Sequence, residues 1–201
     1  MTTETFHPLD HGSNLAMMWN EDPRMMCVRM SRYKFAAKML KGFPSAVEIG
    51  AGDGYMSKIV AQEVKNIVLV DKIPQGKGVL KCDVVSSAIP FGPFAGAYSL
   101  DVLEHIDAKD EDAFIRNIAD SLTNMGTLII GMPSLESFEY ASKFSKEGHI
   151  NLKTEDGLRE LMKKHFQVVY MFGMNDEVVH TGYGPMCHYR IAVASAKKTW
   201  V

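Results

Sequence analysis

Three glycines at alternate positions, Gly50, Gly52 and Gly54, follow the apolar stretch around Val47 and Ile49. Glycines so placed let a strand turn tightly into a helix while the backbone comes close to a ligand. The helix that starts there directs free N–H groups toward whatever sits over the turn. A G-x-G-x-x-G dinucleotide fingerprint counted from Gly50 needs glycine at position 55, where this chain has Tyr55. Glu48 precedes the turn. A carboxylate there repels a pyrophosphate but can hold the ammonium of an amino-acid-like ligand; its other reading is a strand-end acid bonding loop amides. Asp71 closes the second apolar run, Ile67 to Val70, about 20 residues past the first glycine, a place that suits the two hydroxyls of a ribose. In isolation it reads as a turn residue before Pro74. Asp83 ends a third run, where it can accept from the exocyclic amine of a base or cap its own loop.

These residues need a scaffold, and the hydrophobic pattern supplies one. Strands are predicted at 45–50, 66–71, 78–83, 96–101, 126–132, 166–173 and 188–195. Helices are predicted at 54–64, 107–123 and 154–164, with a shorter one near 135–144. Asp22-Pro23 opens a further amphipathic helix that Gly42 ends, with Ser31-Arg32-Tyr33-Lys34 dense in hydrogen-bond donors. Strands and helices alternate, and the strands are nearly continuously apolar. The expected fold is α/β: a doubly wound, mostly parallel seven-stranded sheet ending in an antiparallel hairpin, with helices on both faces. One domain is expected over 1–201, with an irregular or lid-like stretch at 1–20, a helix at 21–42 and the α/β core at 43–196.

Composition narrows the partners. A formal charge of −2 gives no reason to expect nucleic acid or an acidic membrane surface. No signal-peptide core or membrane-length run is seen, so a cytoplasmic protein is expected. Cys27, Cys82 and Cys187 form no C-x-x-C pair and read as small buried hydrophobes in a reducing compartment. The fourteen methionines read as core filling or a lid face.

The run from Val47 to Gly54, with Asp71, Asp83 and Leu100-Asp101-Val102-Leu103-Glu104-His105-Ile106, resembles the class I S-adenosylmethionine-dependent methyltransferases. Gly148-His149-Ile150-Asn151, the helix through Leu158 and Leu161, and Phe166-Gln167-Val168 match small-molecule members. The resemblance covers roughly residues 28–196; Gly96 departs from it, standing where an aspartate is common. It implies S-adenosylmethionine as cofactor, with Gly50, Gly52 and Gly54 under the methionine part and ribose. It further implies Asp71 on the ribose, Asp83 and Val84 beside the adenine, Leu100 and Asp101 lining the sulfonium, and Arg32 on the cofactor carboxylate.

The acceptor is less constrained. Asp101-Val102-Leu103-Glu104 stands where nucleobase and glutamine amino-methylating families carry Asn/Asp-Pro-Pro-Tyr, and Met132-Pro133-Ser134 stands where the metal-dependent catechol type has Asp-Asn. His180 and His188 are too far apart for a helical ligand pair, so no metal is expected. Metal-free, in-line transfer to a hydroxyl of a small molecule, with a sugar as the first candidate, is the leading expectation. Histidine suits the base such a hydroxyl needs. His149 and His180 are the candidate bases, with His105 and Asp176 candidates for holding the acceptor; a capping or packing role is the other reading of His105. An amine acceptor, a nicotinamide oxidoreductase with an altered glycine turn and a non-catalytic cofactor-binding module are the alternatives.

Overall fold

The structure, a computed structural model, describes residues 14–198. The expectation for residues 1–13 therefore lies outside the described residues. Residues 14–20, expected to be irregular, belong to a helix, α1 (Asn14–Glu21), which buries Ala16 and packs Met18 against the core. Next come α2 (Arg24–Met39), β1 (Ala46–Ile49), the single turn α3 (Ser57–Val60), β2 (Ile67–Asp71), β3 (Val79–Lys81) and β4 (Phe94–Leu100). A 3₁₀ turn at Leu103–His105 leads to α4 (Glu111–Asp120) and β5 (Leu122–Pro133). The second half adds α5 (Lys143–Gly148), α6 (Glu155–His165), β6 (Phe166–Asn175), β7 (Val178–His180) and β8 (Tyr189–Lys197).

The sheet has eight strands in the order β3-β2-β1-β4-β5-β8-β6-β7. The first five are parallel, and β8 inserts antiparallel between β5 and β6. The seven expected strands are all present. The eighth, β7, lies inside the segment read as a long loop: β-branched Val178 and Val179 pair with β6 across a turn where Asp176 adopts φ 48°. Asp tolerates this left-handed conformation better than most residues.

Alternation along the strands sorts the core into two faces. Val47, Ile49, Leu128 and Ile130 pack against Phe114, Ile115 and Ile118 of α4 and Leu158, Leu161 and Met162 of α6. Ala46, Tyr98, Ile129 and Ile191 face Tyr33, Ala36, Ala37 and Leu40 of α2 and Val60 of α3. Each such aliphatic side chain contributes about 1.5–3 kcal/mol by leaving water. The second face also explains Gly96. A Cβ there would come within 2.8 Å of Leu40 and 3.1 Å of Phe43, so a larger residue would have to displace the two side chains that follow α2 onto the sheet. Cys82 and Cys187 are buried as expected, but Cys27 lies on the exposed side of α2. Among the described residues, no helix is long and apolar enough to cross a membrane.

Candidate active site

β1, β2, β4 and β5 end on one side of the sheet, and the residues that could do chemistry gather there. All three turn glycines have positive φ, but they do different work. A Cβ on Gly50 would lie 2.2 Å from Val102 Cγ2, and one on Gly54 would lie 3.0 Å from Leu69. Those two glycines serve packing. Gly52, at φ 56°, has nothing within 4 Å of its would-be Cβ and opens onto free space. That is the cradle a close-lying ligand would need.

Asp71 fastens the turn. One oxygen accepts from the Gly52 N–H at 2.8 Å and the other from the Ile73 N–H at 2.7 Å. A carboxylate has about four lone-pair sites, so acceptor capacity remains for ribose hydroxyls. Asp83 accepts from the Val85 N–H and pairs with Lys72 at 3.0 Å, which holds its carboxyl below the usual range. Val84 beside it is buried.

Glu48 points to the α2 side of β1 and is 1% exposed. Its oxygens accept from Tyr33 Oη at 2.8 Å and Tyr98 Oη at 2.6 Å. Burial raises its pKa although these hydroxyls favour the anion. The carboxylate therefore anchors two core tyrosines from beneath the turn.

At the end of β4, Leu100 is buried and Asp101 adopts φ 60°. Its two oxygens lie 2.7 and 2.8 Å from Arg32 Nη1, and Arg29 approaches to 3.6 Å. Burial would raise the Asp101 carboxyl, but Arg32 and Arg29 outweigh it and hold it low. The Arg32 guanidinium also stacks over the Tyr189 ring at 3.8 Å, a favourable cation–π arrangement. Arg32 is thus joined to Asp101, the residue expected at the sulfonium, rather than standing free for a cofactor carboxylate. Arg29 and Tyr189 carry no signal in the sequence alone.

The next turn brings three residues together. Glu104, His105 and His149 each present a ligand atom within 4.8 Å of the others. The expectation of no metal rested on Met132-Pro133-Ser134 standing in place of Asp-Asn and on the His180 and His188 spacing; this grouping lies outside both, because the fold brings the 3₁₀ turn to the loop after α5. The link is mutual. Ile150 and Asn151 donate their N–H groups to the Glu104 carbonyl, and His105 Nδ1 bonds the Gly148 carbonyl at 2.8 Å. The two imidazoles meet edge to face at 5.1 Å. Glu104 is 1% exposed, yet neither oxygen has a hydrogen-bond partner; burial, then Asp101, pushes its pKa well up. His149 Nδ1 is also buried and unpartnered, and burial lowers its pKa.

His180 is placed differently. Its Nε2 bonds Asn175 Oδ1 at 2.8 Å and its Nδ1 accepts from the Gly182 N–H at 3.0 Å, so both ring nitrogens serve the β6–β7 hairpin. Asp176 is exposed at the tip of that hairpin.

An open parallel sheet with a glycine turn after its first strand is a nucleotide-binding α/β architecture. A family model described as a methyltransferase domain matches residues 18–169, and the chain belongs to that family, the class I S-adenosylmethionine-dependent methyltransferases. Solved structures agree on the fold. The N-methyltransferase NodS from Bradyrhizobium japonicum WM9 is similar at 14% identity and TM-score 0.60, over 89% of this chain and 99% of that one. A possible histamine N-methyltransferase from Thermotoga maritima reaches 20% identity and TM-score 0.65, over 90% and 97%. The small RNA methyltransferase HEN1 gives 16% identity and TM-score 0.68, over 87% of this chain and 26% of that one. Comparison with curated protein sequences gives no match.

Proposed function

We propose that the domain methylates a hydroxyl oxygen of a small, polyhydroxylated molecule, with a sugar as the first candidate. The observation that carries this reading is the His105–His149 pair beside Glu104, just past the end of β4. A hydroxyl must lose its proton as it is methylated, which calls for an activating group; a neutral amine brings its own nucleophilic lone pair. The depressed pKa of His149 keeps its imidazole neutral near pH 7, the state in which it can take a proton. The net charge of −2 supports a small acceptor over RNA.

S-adenosylmethionine, when bound, supplies a methyl group on a sulfonium whose C–S bond breaks with its electron pair left on sulfur as the O–CH₃ bond forms. The protein's residues hold and orient. Gly52 gives the backbone a close approach, Asp71 takes the ribose hydroxyls, and Asp83 with Val84 flanks the adenine. Leu100 and the Asp101–Arg32 pair line the methionine end, and Glu48 keeps Tyr33 and Tyr98 in place beneath it. His105 and Asp176 contact the acceptor, while His180 holds the hairpin that carries Asp176.

The test is a panel of sugars and nucleotide-linked sugars offered in matched hydroxy, amino and deoxy forms with labelled S-adenosylmethionine. Methyl transfer to the hydroxy member and none to its deoxy analogue is expected. Transfer to the amino form alone would overturn the oxygen acceptor. Tight binding of S-adenosylhomocysteine with no transfer across the panel would point to a binding module.

A further inference from the structure

We propose that Glu104, His105 and His149 bind one divalent first-row transition cation at the carboxyl end of β4. Three independent features point there. The first is the donor set, two imidazoles and a carboxylate with ligand atoms within 4.8 Å of one another. Imidazoles select cations such as Zn²⁺, Co²⁺, Fe²⁺ or Mn²⁺ over Ca²⁺ and Mg²⁺, which prefer all-oxygen sites. At metal–ligand distances of about 2.1 Å, neighbouring ligand atoms sit about 3.4 Å apart in a tetrahedron, so binding requires a modest contraction.

The second is the state of Glu104. It is 1% exposed and both its oxygens lack hydrogen-bond partners. Ionising a buried carboxyl in that state costs several kcal/mol unless a cation completes it. Asp101 is not available for the same duty, because Arg32 and Arg29 engage it. Glu104 is the carboxylate left facing the histidines.

The third is how the imidazoles are held. His105 Nδ1 bonds the Gly148 carbonyl, so that nitrogen carries the proton and Nε2 keeps a free lone pair. Metal-binding histidines are commonly oriented in this way, with the second ring N–H given to a backbone carbonyl. His149 offers a buried Nδ1 with no competing partner. The paired bonds from Ile150 and Asn151 to the Glu104 carbonyl fix the loop bearing His149 against the turn bearing the other two ligands.

Three protein ligands leave coordination positions open to an acceptor oxygen, as in catalytic rather than structural sites. A hydroxyl bound there would be made more acidic and would release its proton to solvent, with His149 serving as ligand in place of base. This role rests on the hydroxyl-acceptor reading above; the cation site itself does not.

The test uses the tag-free full chain, stripped with chelator and titrated with CoCl₂ while visible absorption and equilibrium dialysis are followed. One Co²⁺ per chain is expected. His105→Ala, His149→Ala and Glu104→Gln should each weaken binding at least tenfold while retaining S-adenosylhomocysteine affinity within threefold. His105 is exposed, so its variant stays informative even where Glu104→Gln misfolds. No stoichiometric Co²⁺ in the wild type, or wild-type Co²⁺ affinity in the His105 and His149 variants, would overturn the site. Because binding is read without an acceptor, a failed acceptor panel and a failed cation site give different results.

Discussion

The two halves of the binding face treat their carboxylates in opposite ways. On the cofactor half, Asp71 accepts from two backbone amides, Asp83 from an amide and a lysine, and Glu48 from two tyrosines. On the acceptor half, Glu104 is as deeply buried as Glu48 and has no partner at either oxygen. The acids of the proposed cofactor half are therefore satisfied by the protein itself, whereas on the proposed acceptor half Glu104 is left for the proposed cation. Beside those three satisfied acids Glu104 stands apart, with both oxygens buried and unpartnered, and functional sites are where such local costs collect.

The largest expected effect probes the proposed cofactor half. Gly52→Val places a branched side chain in the open cradle and should lower S-adenosylhomocysteine affinity about a hundredfold, or about 2.7 kcal/mol. Calorimetric titration measures this directly, and an unchanged affinity would place the ligand elsewhere. A paired measurement then sharpens the contrast between the halves. Glu48→Gln leaves one acceptor oxygen for two hydroxyls and should cost about 1–2 kcal/mol in urea unfolding. Glu104→Gln, in metal-free buffer at pH 7, should be neutral or stabilising by about 1 kcal/mol, because burial already holds the unpartnered carboxyl well above its usual pKa and the amide that replaces it has no ionisation to penalise. Equal losses in the two variants would break the comparison.

The smallest effect is a control outside both halves. His165 bonds Asp112 at 3.0 Å and is 2% exposed; burial lowers its pKa despite the carboxylate. The unfolded chain therefore takes up the proton first. The stability His165 contributes is present above about pH 6.5 and is lost as pH falls through the depressed folded pKa. His165→Gln should flatten that acid loss by about 1 kcal/mol or less, seen by comparing urea midpoints at pH 7 and pH 5.

Much of the fold under the proposed cofactor half was legible because its signals are local. Glycines at 50, 52 and 54, and acids at the ends of successive apolar runs, follow from strand periodicity and turn sterics. The proposed acceptor half was legible only as separate residues, His105 and His149, because their meeting is spatial: 43 residues separate His105 from the Gly148 carbonyl that orients it, and no spacing rule spans that gap. Glu104 could be read as part of the Leu100 to Ile106 run, but not as a buried and unpartnered carboxylate. The tyrosines beneath Glu48 come from α2 and β4, so the sequence showed an acid before a turn and not its anchors. β7 was missed for a simpler reason: three residues flanked by Asn, Asp and Gly resemble a loop until an edge strand is there to pair with them.

The Glu104 carbonyl holds the amides of Ile150 and Asn151, while its side chain is buried beside His105 and His149. Any guest that draws the carboxylate taut also pins the loop beyond His149. Amide protons at those two positions then exchange more slowly with deuterated solvent when the acceptor side is filled, which gives a reporter of occupancy that needs no turnover.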